Sequence, residues 1–157
     1  MAHIRHLLPL SVAQTIAGSI VCSRFDYCNA VLQGAPKSSM LKLQRVQNNL
    51  ARIVLQLPRR THARPQLYRL HWLPVEQRIA YKTAIITYNV RAQSAPEYLL
   101  TLLQNRVCTR TLRSSSLPLL DISRFLTVTA SRSFRIAAPA IWNSLSHDVL
   151  VCSTVDS

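Results

Sequence analysis

Arginine gives this sequence its most evident chemistry. The 157-residue chain has 19 Lys and Arg against 6 Asp and Glu, a formal net charge of +13, and 16 of the basic residues are Arg. Guanidinium groups bind phosphates in a bidentate manner, and a positive field of this size favours a polyanionic partner. We therefore expect nucleic acid to be the partner. A charged surface that only keeps a protein soluble is the alternative, although solubility needs far less net charge.

Cations and amides recur at helical spacing between positions 42 and 56. The residues of this polar stripe are Lys42, Arg45, Asn49, Arg52 and Gln56, without an acidic residue among them. On a helix they share one side, which could follow a phosphate backbone. A solvated face that touches only water has the same pattern, so both interpretations stay open.

Two further segments are basic. A connector at 58–65 is bounded by prolines that resist helix, and a loop at 106–116 carries its arginines among Ser and Thr. The residues to which we assign phosphate contacts are Lys42, Arg45, Arg52, Arg59, Arg60, Arg64, Arg110 and Arg113.

Residues for catalysis are sparse. The six acidic residues are isolated, only two glycines occur, and no phosphate-binding glycine loop, serine-nucleophile elbow or C-x-x-C pair is present. His62 and His71 are interpreted as a loop residue and a packed or capping residue. We expect no catalytic residue, no metal site and no cofactor, so the chain is not predicted to be an enzyme.

The four cysteines are too few and too scattered for a secreted disulfide framework. The apolar run at 7–22 loosely resembles a signal peptide, but Pro9, Gln14 and Gly18 interrupt it and no cleavage pattern follows. We expect reduced thiols, an intracellular location (nuclear or cytoplasmic) and no membrane insertion.

The elements that must position these residues are mainly helical. Helices are predicted at 11–32, with Ser11 as cap, and at 38–57, 66–71, 74–91 and 96–103. The predicted buried residues of the first helix are Val12, Ile16, Ile20 and Val31, and those of the second are Leu43, Val46, Leu50, Ile53, Val54 and Leu57. The helix at 74–91 is apolar around most of its circumference, with a narrow polar stripe at Glu76, Thr83 and Thr87.

The character of the chain changes after position 104. Two short strands at 117–122 and 125–129 would form a hairpin, and a helix begins at Ser133 that Pro139 kinks or restarts. The fold class predicted is therefore mainly α, a compact helical domain with a small β-hairpin in its C-terminal third.

Six strings of sequence occur in an order that resembles one known family. They are SRFDYCN at 23–29, KLQRVQN at 42–48, LHWLPVEQRI at 70–79, APEYL at 95–99, RTLRS at 110–114 and AAPAIWNSL at 137–145. Together they resemble the C-terminal region of LINE-type, non-LTR retrotransposon reverse transcriptases, over about residues 5–147.

The resemblance implies a non-catalytic piece of an RNA-directed DNA polymerase, since the family's Ala-Asp-Asp palm motif has no counterpart here. It implies a helical thumb-like and post-thumb region at 1–104, a basic loop, hairpin and Trp-containing helix at 105–147, and a divergent tail at 148–157. The implied partners are RNA or an RNA–DNA hybrid, and a palm domain encoded upstream. Departures from the family at 129–131 and after 147 suggest a decayed copy, so the alternative function is a docking fragment without independent activity.

The aromatic residues of these strings have two interpretations. Trp72 and Trp142 could stack on bases, but their apolar neighbours favour a role in the core. Asp26 is interpreted as a member of an ion pair or a cap, and Glu76 and Arg78 as residues that fix the start of the helix at 74–91.

Overall fold

Helices account for most of the described chain, which confirms the mainly α class. A computed structural model describes residues 2–94, 96–107 and 117–151. Contacts group the chain into two units, Met1–Ala80 (unit 1) and Tyr81–Ser157 (unit 2), each with its own contacts. The described residues form helices and turns, with no β-strand among them.

Unit 1 begins with several short helical pieces where the sequence predicts one helix at 11–32. A 3-10 helix, Ala2–Leu7, precedes α1 (Leu10–Ala17), which continues through a π-helical turn, Gly18–Cys22, into α2 (Ser23–Asp26). The extended backbone of Pro9 begins α1, so Ser11 lies inside the helix rather than at its cap. Cys28 adopts a left-handed conformation that separates α2 from a 3-10 helix, Asn29–Leu32.

The buried face of this segment differs from the prediction. Ala13, Ala17 and Cys22 are buried, whereas Val12, Ile20 and Val31 are 41%, 64% and 74% exposed. Ala13 and Ala17 belong to the same buried cluster as Ala51 of α3, and small side chains allow two helix backbones to approach closely. Ile20 lies in the π-helical turn, which breaks the 3.6-residue period, and the left-handed Cys28 separates Val31 from the helix, so neither residue keeps the face predicted for it.

Helix α3 (Lys37–Val54) follows Gly34, which adopts a left-handed φ of 68°, and Pro36. This confirms that Gly34 and Pro36 separate the first two helices. The buried residues of α3 are Gln47, Leu50, Ala51 and Val54. Of the other residues predicted to be buried, Val46 is exposed, and Leu43, Ile53 and Leu57 are half-buried. The buried face is therefore rotated from the predicted one towards Gln47 and Ala51, because Ala51 packs with the alanines of α1.

Helices α3 and α4 both end in a Schellman motif whose left-handed residue is not glycine. After α3, Gln56 has a φ of 53° and the Leu57 N–H donates to the Arg52 carbonyl over 2.9 Å. After α4 (Ala63–Arg69), His71 has a φ of 56° and the Trp72 N–H donates to the Leu67 carbonyl over 2.8 Å. His71 is thus the helix-terminating residue of α4, in agreement with a capping role.

Replacing His71 by glycine is expected to stabilise unit 1. A side chain in the left-handed region costs about 1 kcal/mol, and the exposed His71 side chain makes no described hydrogen bond that would be lost. His71→Gly should raise the free energy of unfolding by about 0.5–1 kcal/mol in urea denaturation followed by circular dichroism. His71→Ala, which keeps the Cβ, is the control and should gain little; equal stability of the two variants would contradict the prediction.

Helix α4 begins earlier than predicted. Pro65 lies in its first turn, where a missing N–H costs no intrahelical hydrogen bond, so the proline does not exclude helix at that position. The basic connector consequently ends before Ala63, and Arg64 is helical.

The threonines of helix α5 (Val75–Gln93) are buried, whereas the sequence placed them on the narrow polar stripe of this helix. Thr83 and Thr87 are 3% and 0% exposed, whereas Tyr81 is 59% exposed. The Thr87 hydroxyl donates to the Thr83 carbonyl over 2.8 Å, so its hydrogen is satisfied within the helix and the side chain packs as a β-branched apolar group.

Unit 2 contains no hairpin at 117–129, so that prediction was wrong for the described residues. Asn105 and Leu120 form an isolated antiparallel bridge, and α7 (Val128–Ser131) occupies the end of the second predicted strand. The backbone of Leu120 is instead held by the Asn143 amide, which accepts from its N–H and donates to its carbonyl. The remaining helices are α6 (Glu97–Leu100), α8 (Phe134–Asn143) and α9 (His147–Val151).

Helix α8 passes through the buried Pro139 without an interruption. Trp142, near its end, is 6% exposed and clusters with Leu120 and Leu150. The predicted basic loop lies partly outside the described residues, which resume at Leu117.

Candidate nucleic-acid interface

The excess positive charge is concentrated in unit 1. Residues 1–80 contain eleven Lys and Arg against two acidic residues, a net charge of +9, whereas residues 81–157 contain eight against four, a net charge of +4. One of the two acidic residues of unit 1, Asp26, is neutralised by an ion pair of 2.8 Å with Arg78. The pair takes one cation and one acidic residue out of the count together, so ten cations remain against Glu76 and the net charge of unit 1 stays +9.

Lys42 and Arg45 are exposed on α3, on the side opposite its buried face. Neither takes part in an ion pair or hydrogen bond within the described residues. Three positions separate them, so they project in similar directions and about 4.5 Å apart along the helix axis. Both are available to an external anion.

Arg52 belongs to the same stripe but has an internal role. It is half-buried, and its Nε donates to the Thr61 carbonyl over 2.9 Å while its Nη1 donates to Asn49 Oδ1 over 3.1 Å. The first of these hydrogen bonds ties the connector to α3. The phosphate contact predicted for Arg52 stays a prediction: its Nε and Nη1 atoms are used within the protein, and its Nη2 makes no hydrogen bond within the described residues.

Arg59 and Arg60 are exposed on the connector, which also contains a turn in which the Thr61 N–H donates to the Pro58 carbonyl over 3.0 Å. Arg64 is exposed in the first turn of α4. Arg110 and Arg113 lie outside the described residues. The structure thus brings Arg59 and Arg60 to the end of α3 that carries Arg52.

Tyr68 is a candidate that the sequence pattern did not single out. Its side chain is 86% exposed, four positions after Arg64 on α4, so the two share one face of the helix. An exposed aromatic ring beside a cation is the combination used for stacking on unpaired bases. The i, i+4 spacing of Arg64 and Tyr68 could have indicated this pair from the sequence, but only if the helix had been predicted to include Arg64.

The two tryptophans, in contrast, serve the core. Trp72 is half-buried against the unit 1 cluster. Trp142 donates from Nε1 to the Pro118 carbonyl over 3.0 Å, and the Arg91 guanidinium lies 4.9 Å from its ring centroid. Burial lowers the pKa of Arg91, which indicates that this cation is partly removed from water. The core interpretation of Trp142 is confirmed.

Several polar residues of the family-like strings hold helices together. Gln47 is fully buried and donates from Nε2 to the Leu73 carbonyl over 2.8 Å. Gln44 Oε1 accepts from the Val75 N–H over 2.9 Å, which satisfies a free donor at the start of α5. The ion pair of Asp26 with Arg78 confirms the structural interpretation of Asp26.

A further structural cation, Arg5, was not singled out from the sequence. Its side chain is buried, with Nε donating to the Val54 carbonyl and Nη1 donating to the Leu8 carbonyl, each over 2.7 Å. Val54 is the last residue of α3, so Arg5 caps the negative end of that helix.

Groups that could do chemistry are not brought together in the described residues. No three His, Cys, Asp or Glu residues of that part of the chain lie close enough to hold a metal ion. Burial raises the pKa of Cys22, outweighing the nearby Arg78, so this thiol stays protonated and is a poor nucleophile. Within the same ranges, no helix is both long enough and apolar enough to cross a membrane.

Comparison of the chain with protein-family models, with curated proteins and with solved structures found no match.

Proposed function

We propose that this protein is a non-catalytic nucleic-acid-binding module that holds RNA or an RNA–DNA hybrid through unit 1. The observation that carries the proposal is the set of exposed cations on that unit: Lys42, Arg45, Arg59, Arg60 and Arg64. They face solvent on a scaffold with a net charge of +9, and an internal hydrogen bond from Arg52 fixes the connector that bears two of them.

This arrangement binds the backbone rather than the bases. Arg45 and Arg52 are about 10 Å apart along α3, which corresponds to the rise of about three nucleotides along one strand of a duplex. Contacts of this kind carry no sequence information, so binding is sequence-tolerant and weakens steeply with salt.

The resemblance to the C-terminal region of non-LTR retrotransposon reverse transcriptases supplies the identity of the polyanion. In this proposal the chain derives from the part that follows the polymerase, and a palm domain encoded upstream provides catalysis. The proposed location is then where such a template is found, in the nucleus or cytoplasm.

The proposal is tested by fluorescence anisotropy with RNA, duplex DNA and RNA–DNA hybrid at several salt concentrations. We expect binding at 50 mM salt and a linear fall of log K with log salt, to roughly micromolar or weaker near physiological ionic strength. Absence of binding at low salt would remove the proposal.

A charge-neutralising pair locates the interface. Arg59→Gln with Arg60→Gln removes two exposed cations of the connector, and should weaken binding about tenfold and reduce the salt slope by about 2. The matched control, Arg124→Gln with Arg135→Gln, removes two exposed cations of unit 2 and should change affinity less than threefold. Equal losses in both pairs would contradict the assignment to unit 1.

Tyr68→Ala is expected to weaken single-stranded RNA about fivefold and to leave duplex DNA unchanged, because only unpaired bases can stack on the ring. Anisotropy with both probes measures the difference. Tyr98→Ala, at a site 70% exposed in unit 2, is the control. An equal loss for duplex and single strand would count against stacking.

The alternative function is a docking fragment of a decayed element, without activity of its own. The exposed Val12, Ile20 and Val31 favour it, because these apolar side chains would be covered by a polymerase domain. This alternative expects aggregation or poor amide protection of the isolated chain. A well-protected monomer in size-exclusion chromatography and hydrogen exchange would contradict it.

A further inference from the structure

A cleft of about 300 Å³ lies in unit 1, where the N-terminal 3-10 helix meets the last turn of α3. Its volume is at the lower end of the range for small-ligand sites. The residues that line it are Arg5, His6, Arg52, Ile53, Gln56 and Leu57.

The lining has a polar, cationic part and an apolar part. Two guanidinium groups, an imidazole and an amide supply hydrogen-bond donors, whereas Ile53 and Leu57 offer aliphatic surface. No carboxylate lines the cleft, so the charges of Arg5 and Arg52 are not neutralised there. A ligand with both an anionic group and a planar apolar group matches this lining.

Both guanidinium groups are held in place before any ligand arrives. Arg5 is fixed by the Val54 and Leu8 carbonyls, and Arg52 by the Thr61 carbonyl and Asn49. Each bond uses Nε or Nη1, and the Nη2 atoms make no hydrogen bond within the described residues. Donors fixed in this way lose little side-chain entropy on binding.

The end of α3 does not cancel this positive field. A helix C-terminus is equivalent to about half a negative charge. Two full positive charges line the cleft, and one of them, Arg5, already caps the Val54 carbonyl. The cleft therefore remains attractive to an anion.

Arg52 also connects the cleft to the basic connector. It lines the cleft and holds the carbonyl of Thr61, the residue that follows Arg59 and Arg60. A strand whose phosphates contact those two arginines would reach the cleft with its next nucleotides.

We propose that the cleft binds one unstacked nucleotide of a single strand, with the phosphate at the Arg52 and His6 side and the base against Ile53 and Leu57. The inference rests on the proposed nucleic-acid binding, and it adds a discrete nucleotide pocket to an otherwise sequence-tolerant surface.

The first experiment is an ¹H–¹⁵N NMR titration of the full wild-type chain with uridine 5′-monophosphate, uridine and inorganic phosphate. We expect the monophosphate to shift the amide signals of His6, Ile53 and Leu57 at lower concentration than either uridine or phosphate alone. Shifts that phosphate reproduces fully would overturn the base-binding part, and no shift at these residues would overturn the site.

The second experiment compares His6→Glu with His3→Glu. Both histidines are exposed on the same 3-10 helix and the change in charge is identical, but only His6 lines the cleft. We expect His6→Glu to weaken single-stranded RNA at least fivefold more than His3→Glu. Circular dichroism reports whether both variants fold, and if either does not, the titration of the wild-type chain decides.

The outcomes separate this inference from the proposed function. RNA binding by the wild type with equal effects of the two variants and no monophosphate shifts would overturn the cleft and leave the proposed function standing. Monophosphate shifts without any RNA binding at low salt would overturn the proposed function and the single-strand part of this inference, and would leave the cleft as a site for a free nucleotide.

Discussion

Replacing Arg5 by methionine is expected to lower the free energy of unfolding of unit 1 by about 3 kcal/mol. The substitution keeps a long apolar stem but removes the two donors that reach the Val54 and Leu8 carbonyls. Hydrogen bonds from a charged donor contribute about 1.5–3 kcal/mol each, and the end of α3 would also lose its capping charge. The desolvation of the guanidinium offsets part of this sum, since no carboxylate pairs with Arg5 in the described residues.

Two comparison variants give this prediction its specificity. Arg24→Met removes an exposed cation from α2 and should change stability by no more than about 0.5 kcal/mol. Arg5→Lys retains the charge but offers one compact donor group in place of the fork, so an intermediate loss is expected. Urea denaturation followed by circular dichroism measures all three, and a loss for Arg5→Met no larger than for Arg24→Met would refute the capping role.

The second large effect is expected at Gln47. Gln47→Ala removes a fully buried side chain from α3, leaves the Leu73 carbonyl without its donor, and opens a cavity. The unpaired group and the cavity together should cost about 3 kcal/mol. The entry into α5 is expected to loosen as well, because Gln47 also accepts from the amide of Gln44 that bonds at Val75.

Gln47→Leu separates the two contributions. Leucine restores most of the volume but not the hydrogen bonds, so about half of the loss should remain in the same urea experiment. Gln77→Ala, at an exposed position of α5, is the control and should be nearly neutral. If Gln47→Leu were as stable as the wild type, packing alone would explain Gln47 and the hydrogen bonds would contribute nothing.

Gln47 shows how the strings that resemble the known family are used in the structure. Gln44 and Gln47, from the string at 42–48, bond to Val75 and Leu73 of the string at 70–79. Arg78 of the latter pairs with Asp26 of the string at 23–29. These polar residues of the strings therefore connect α2, α3 and α5 within unit 1.

The exposure of the candidate cations could be predicted from the sequence where it follows from charge. Lys42, Arg45, Arg59, Arg60 and Arg64 face solvent, because an unpaired cation is costly to bury. The internal hydrogen bonds of Arg52 could not be predicted, because a bond to a backbone carbonyl nine residues away does not follow from helical spacing. Arg5 was missed for the same reason, its carbonyl partner being 49 positions distant.

The sequence by itself determined the mainly helical class and the excess of arginine, and it placed α3 to within three residues of its observed bounds. These properties are local, because periodicity, Gly34 and Pro36 act within a few positions. Only the tertiary structure decided which faces are buried and which polar groups hold the helices. In the N-terminal segment the small residues Ala13 and Ala17 are buried, while the larger Ile20 is exposed. Thr87 is buried because its hydroxyl donates to a carbonyl of its own helix. Both outcomes depend on close packing and on the pairing of buried polar atoms, which involve residues far apart in the chain.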